Sequence, residues 1–598
     1  LMAIGSTPGG SGHVVPDDPD HRLVTPEDTV AMARMEDARF REVGTKVGEL
    51  LARVNDIAVA SGVAPGSPDD GKVAAFVRDA ESRTRGALTE LVGALLEAAI
   101  APVRDYGPVH VSRFGAKGDG AADDTAALVA AGASGREVHF SPGAVHNFRG
   151  PVTISEGTRW VTNGARLYCT TPRNNYNIVL QSDTFVDVLD ASFAGGNDDR
   201  GVLVEGSHVE VGRMRLVART AATSRNYRRR GLVIGAEGVG CQHVRLGDVR
   251  VEGFLDSVGS WNGTDVTVDR LTMRGHVQGL YLANPTRWTV RAGSADKINL
   301  GVASGGPGEN SVLVETDGRV DAGEVSFTNF HSRESGEHGF RVGGQSPITG
   351  ITFDNCKASR SGAGNGTGGC GFKALGPTSI LSNARSAKHR NIRFINCTVE
   401  SGAVVKGGSN FAAFNIGKCE GVSFVSPVVT RGTAGSGDTA AYGIAMIGCE
   451  NVSISEPAIE YTTSSGIRVY DAEDSADATW GGDPSALSIS GGFIRGCGRG
   501  LEVSAGNRVV RRLTASNLTV DDGDYGAVVW AGTMNRCSLD MNINSPTAAS
   551  LRGTEAVMCQ VEGDLVGASP ARNGSTFTDY QTGDFLVRRS DAWVRVPA

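Results

Sequence analysis

An all-β solenoid of short stacked strands is the fold class this sequence predicts, and three observations predict it. Units of the form Gly-apolar-x-apolar recur along the chain: GLVIG at Gly231, GLYLA at Gly279, GFRVG at Gly339, GFKAL at Gly371, GIRVY at Gly466, GLEVS at Gly500 and GAVVW at Gly526. Each is followed by a second alternating strand, such as ITFDNC, IRFINC, VSFVSP or VSISEP, at a spacing that varies with inserted loops, the mark of a β-helix. Length agrees: 598 residues exceed the roughly 250 to 300 that one ordinary core supports, unless the core is a stack of repeats.

Taken in order, residues 1–26 are rich in Gly, Pro and Asp and read as a flexible arm. A helix begins near Glu27, and its apolar residues Phe40, Val43, Val47, Leu50, Val54 and Ile57 alternate at three and four, which is a coiled-coil seam. SGVAPGSPDDG from Ser61 breaks it, and a second helix runs from Lys72 to Ala101. We read 27–104 as a helical, coiled-coil stalk; the alternative is a helical hairpin packed on the next domain. Residues 105–545 form the solenoid. In each repeat unit the two apolar residues point into the stack and the residue between them points out, so Arg341, Lys373, Arg468 and Glu502 line an outer face. The same alternation predicts Phe327, Phe353, Phe394, Phe424 and Ile454 along the axis. Residues 546–598 read as a small C-terminal β cap, ending in a hairpin from Thr576 that needs a neighbour to pack on.

The segment FGAKGDGAADDT from Phe114, then GREVHFSPGAV from Gly135 and PVTISEGTRWVTNGARLY from Pro151, carries a family resemblance. It resembles the opening segment of the pectate-lyase-like, right-handed parallel β-helix superfamily, found in phage tailspikes and some secreted polysaccharide-degrading enzymes. Three residues depart from the family pattern. Ser141 stands at the first proline of the PPG turn, and His146 with Asn147 stands where an aromatic is usual. Gly115, Gly118 and Gly120 suit a tight loop, and Asp123 is placed to cap the following helix. Asp119, Asp123 and Asp124 are read as structural; their alternative is a calcium or acid/base cluster.

The resemblance implies a homotrimer of side-by-side β-helices, joined to a phage tail or baseplate through the N-terminal region. It implies assembly in the host cytoplasm, residence on the virion tail, and action at the host cell surface on a capsule, exopolysaccharide or O-antigen type of polysaccharide. The N-terminus lacks the basic flank and apolar run of a secretory signal, which favours this expectation over a cellular pectate-lyase-like enzyme.

Composition excludes several classes. A formal net charge of −8 argues against nucleic acid as the partner. The one basic cluster, Arg225 with Arg228 to Arg230, reads as a solvated turn or an anion patch. No stretch is long and apolar enough for membrane insertion. The ten cysteines fall at repeat positions, Cys356 matching Cys397 and Cys419 matching Cys449, and read as small buried hydrophobes. No CxxC or zinc-type Cys/His spacing occurs, so no metal or other cofactor is expected.

The densest polar constellation is HSRESGEHGFR, with His331, Arg333, Glu334, Glu337, His338 and Arg341 between two strands. Two carboxylates with histidine and arginine nearby suit glycoside hydrolysis, which needs a carboxyl pair, or β-elimination from a uronic acid, which needs a base and a cation. Glu334, Glu337, His338 and Arg341 are therefore the catalytic candidates, and Asp198 with Asp199 is the second carboxylate pair. The alternative for each is a turn residue. Arg333, Tyr281, Arg468 and the loop tryptophan Trp480 are candidate glycan contacts. The polygalacturonase set of NTD, DD, GHG and RIK is absent, so ordinary pectin hydrolysis is unsupported. Two function classes follow, a polysaccharide depolymerase and a non-catalytic glycan-binding structural tail protein.

Overall fold

The structure, a computed structural model, describes residues 107–598 apart from 172–174, 195–199, 221–229, 237–239, 276, 297–308, 318–321, 363–368, 378–387, 404–411, 431–439, 471–484, 505–508 and short stretches after 530. The arm 1–26, the stalk 27–104, Asp198, Asp199 and Trp480 lie outside the described residues.

The described chain is nearly all strand. Its strands join into one sheet of 32 strands and one of 16. A typical turn of the solenoid supplies two strands to the larger sheet and one to the smaller, as in Ile348–Asp354, Lys357–Ser361 and Phe372–Leu375. Every pairing up the stack is parallel until the end, where Thr576–Asp579, Asp584–Arg589 and Ala592–Val596 pair antiparallel. Parallel pairing continues beyond 545, through Leu565–Val566 and up to Thr576.

The opening segment is built by its carboxylates. Asp124 accepts the amides of Lys117 and Gly118 at 2.8 and 2.9 Å and receives His146 Nδ1 at 2.7 Å, buried. Asp119 accepts the amides of Ala121 and Ala122, and Asp123 accepts the Thr125 amide at the start of the helix Thr125–Gly132. These amides on Asp119, and on Asp123 the Thr125 hydroxyl followed by its amide, hold both carboxylates ionised below the usual range.

Two registers fix the core. Phe327, Phe353, Phe394, Phe424 and Ile454 occupy one position in five successive rungs of the larger sheet, all buried as the alternation predicts. Their rings stack nearly parallel, at 5.5, 5.4 and 4.8 Å between centroids. From the opposite wall Phe340, Phe372 and Phe414 form a second stack, at 4.6 and 5.0 Å, and the two stacks meet edge to face.

The repeating glycine has a steric cause. A Cβ on Gly443 would sit 2.5 Å from the carbonyl oxygen of Gly466 one rung up, and one on Gly500 would sit 2.6 Å from that of Gly526. The backbone enters the smaller sheet too close to the next rung for any side chain. The corner inside the larger sheet has its own device. Asn329, Asn355 and Asn396 adopt φ near +50°, a conformation asparagine tolerates, and Asn355 donates to Asn329 at 2.5 Å. The buried cysteine that follows, Cys356 or Cys397, points its thiol at a carbonyl of an earlier turn. All nine described cysteines are buried.

Candidate functional site

Insertions locate the working face. The corner between the two strands of a turn in the larger sheet is one or two residues long from Thr328 to Phe493. The long segments, among them 297–308, 378–387, 431–439 and 471–484, instead fall where the chain enters or leaves the smaller sheet. Loops that vary over a constant scaffold are where binding residues gather, so the smaller sheet carries the candidate site on its outer side.

Arg341 and Lys373 are paired neighbours on that sheet, as are Arg468 and Glu502, in one outward column. Around the first pair the structure assembles Glu337, His338, Arg341 and Lys373. His338 is 1% exposed. Its Nδ1 accepts the backbone amide of Cys370 at 2.9 Å, which leaves the ring proton on Nε2. That nitrogen lies 3.2 Å from Glu337 Oε1 and 3.1 Å from Lys373 Nζ. Glu337 Oε2 in turn lies 3.5 Å from Arg341 Nη1.

The electrostatics follow from this packing. Burial and the neighbouring Lys373 push His338 down to about 4, so the imidazole is neutral at pH 7. Burial opposes ionisation of Glu337, but the hydrogen bond from His338 and the charges of Arg341 and Lys373 outweigh it and hold the carboxyl well below its usual range. Burial, assisted by Arg341, lowers Lys373 from the ordinary lysine value. Burial thus biases Lys373 toward the unprotonated amine, the form in which lysine is a base.

Glu334 is elsewhere. It takes φ of +56° just past the end of its strand and forms an ion pair with Arg360 at 2.7 Å, whereas Glu337 faces His338 and Arg341. Arg333 is exposed and donates to His331 Nδ1 at 3.2 Å, with Asp296 at 3.7 Å. Tyr281 donates to Glu315 at 3.2 Å and meets Trp261 edge to face; burial, then Glu315, raises its hydroxyl pKa. Arg230, the described member of the basic cluster, covers the Trp261 ring and lies 3.6 Å from Asp256. Asp265 and Asp269 are held by Arg287 and Arg291.

Sequence reasoning put Lys373 on the outer face but did not join it to His338. The signal was present: aligning GFRVG at Gly339 with GFKAL at Gly371 sets Lys373 beside Arg341. It missed Glu309 and Asn310, fully buried one rung below Glu337 and His338, where the Glu337 amide donates to the Glu309 carbonyl at 2.8 Å. A shallow cleft of about 520 Å³ opens on the outer side of the larger sheet, lined by Gly350, Asn391, Arg393, Gly421 and Asn451. It holds no such group of coupled ionisable side chains, and chemistry points to the smaller sheet.

No known family pattern matches the chain, and no curated protein matches it by sequence. Solved structures do. The pre-mature gene product 12 of bacteriophage phi29 is 11% identical, with a TM-score of 0.45 over 86% of this chain and 78% of its own. Tailspike protein 3 of bacteriophage CBA120 is 12% identical, with a TM-score of 0.39 over 83% and 70%. The catalytic unit of an α-1,3-glucanase from Streptomyces thermodiastaticus is 14% identical, with a TM-score of 0.34 over 74% and 70%. The strand pairing itself makes this chain a parallel β-helix, and the solved structures similar to it include phage tailspikes and related β-helix proteins.

Proposed function

We propose that this chain is a tailspike-type depolymerase, whose smaller sheet binds an acidic host-surface polysaccharide and cleaves it by β-elimination. The observation that carries the reading is Lys373, a half-buried amine with a lowered pKa, 3.1 Å from a neutral imidazole and beside Arg341. Arg341 suits the uronate carboxylate, where its charge offsets the negative charge that grows as the C5 proton leaves. Lys373 takes that proton. The electron pair of the C5–H bond becomes the C4–C5 double bond as the C4–O bond breaks, and the leaving oxygen is protonated from solvent. Glu337 positions Arg341 and His338.

Hydrolysis through Glu334 and Glu337 is the weaker reading. A general acid must hold a proton at working pH, whereas Glu337 is held ionised and Glu334 is engaged by Arg360. Asp198 with Asp199 is the carboxylate pair a hydrolytic version would use. Arg333, Tyr281, Arg468 and Trp480 are proposed glycan contacts. The resemblance of the opening segment supports a homotrimer on a phage tail, attached through its N-terminal region and acting at the host surface.

The test is product chemistry on isolated acidic surface polysaccharide. Unsaturated uronate ends from the parent protein, reduced about 10²-fold or more in Lys373→Met, support the proposal. Reducing ends without unsaturation would establish hydrolysis, and binding with no new ends would establish the non-catalytic reading.

A further inference from the structure

Higher on the same face, Arg468 is fixed from three sides. Its guanidinium lies over the rings of Tyr442 and Tyr470, at 4.7 and 4.5 Å from their centroids. Nη1 donates to the Tyr442 hydroxyl at 2.5 Å, and Nε lies 3.2 Å from Glu502. Glu502, 2% exposed, is itself satisfied by Ser465 and by Arg499 at 3.1 Å. A planar cation held this way loses little freedom on binding, and its remaining N–H edge suits a carboxylate or sulfate.

The register relates this cluster to the first. Lys373 pairs with Asn415, Asn415 with Ala445, and Ala445 with Arg468. Arg341, which binds the first carboxylate, pairs with Lys373, so four rung steps of roughly 4.8 Å set the guanidinium positions of Arg341 and Arg468 about 19 Å apart along one column. Between them lie the Lys373 amine, the half-buried Asn415 amide and Ala445, which is covered in a cluster with Tyr442 and Tyr470; none of these repels an anion.

We propose that Arg468 forms a second anion subsite, and that the face selects a polyanionic glycan carrying negative groups about 19 Å apart. This rests on the reading of the smaller sheet as the face for acidic polysaccharide, but not on cleavage. Tyr442, Tyr470 and Glu502 are its positioning residues.

Calorimetric titration with a uronate trisaccharide, too short to span both clusters, and with an octasaccharide tests it. The Lys373→Met background removes turnover and keeps Arg341. The octasaccharide should bind about tenfold or more tighter than the trisaccharide, the scale of one charge-assisted contact. Arg468→Gln with Glu502→Gln, which removes the cation without stranding a buried carboxylate, should erase that difference. Carboxyl-reduced octasaccharide should bind weakly to both proteins. If the double variant does not give the parent's circular dichroism and melting profile, Arg468→Lys carries the test: it keeps charge without the planar fork, and should narrow the difference several-fold. An unchanged ratio of the two affinities, or no binding of either oligosaccharide by background and parent alike, overturns the subsite. A length-dependent loss at Arg468 in a protein that releases no unsaturated ends would overturn elimination and leave the subsite standing.

Discussion

Truncating Phe394 to alanine tests the register of the core. The ring is 1% exposed and stacks on Phe353 below and Phe424 above, at 5.4 and 4.8 Å, while Phe372 and Phe414 meet it edge to face at 5.6 and 5.8 Å. A buried Phe→Ala change costs about 3 to 5 kcal/mol, through lost transfer energy and the cavity left behind. Four aromatic neighbours on both walls restrict collapse around that cavity, which places the expected value in the upper half of the range. In a stack of repeats the damage should be local, because each rung touches only its neighbours. Native-state hydrogen exchange therefore reads it best. Amides in Ile392–Ile395 and in the flanking rungs at Ile351 and Val422 should open several kcal/mol more easily, while those near Val138 keep their protection. Phe394→Leu, which keeps most of the volume, should cost much less. A loss under about 1 kcal/mol, or an equal loss at Val138, would refute the axial stacking.

Three further perturbations follow from the same geometry. Gly443→Ala places a methyl 2.5 Å from a backbone carbonyl and should destabilise by several kcal/mol in urea titration; a change within about 0.5 kcal/mol would remove the steric account of the repeating glycine. His338 and His389 are buried with pKa values pushed down to about 4, below the unfolded value near 6.5. Their contribution is complete above that unfolded value and is lost as pH falls toward about 4, by about 1.4 kcal/mol per pH unit for each histidine. Urea titrations at pH 7 and pH 4.5 check it, and equal stability at both would contradict it. At each ring Nδ1 accepts a backbone amide, from Cys370 on His338 and from Ile348 on His389, leaving no room there for a second proton. In the stalk, Val47→Asp with Leu50→Asp should weaken trimer assembly by putting charge in the seam; light scattering that gives the parent a monomer mass of 62.2 kDa would end that expectation.

The fold was legible because each rung repeats the same local demands. Glycine where the next carbonyl closes in, apolar residues two apart, and asparagine at the corner are periodic signals, and Phe327 to Ile454 could be aligned from them alone. The site was legible only in part. Glu337, His338 and Arg341 are adjacent in sequence and were found together, but Lys373 reaches His338 across an insertion at 363–368 that sequence distance does not measure. Glu334 looks equivalent to Glu337 in the string HSRESGEHGFR, yet a left-handed backbone at Glu334 turns it to Arg360. A carboxylate pair in sequence was not a pair in space.

The most direct test of the account is a crystal structure of Lys373→Met soaked with an acidic oligosaccharide from a susceptible polysaccharide. The account predicts sugar rings along the outer side of the smaller sheet, a uronate carboxylate on Arg341, and C5 of that residue facing position 373. An oligosaccharide seated in the cleft of Asn391 and Asn451 on the larger sheet, with the Arg341 face bare, would contradict it.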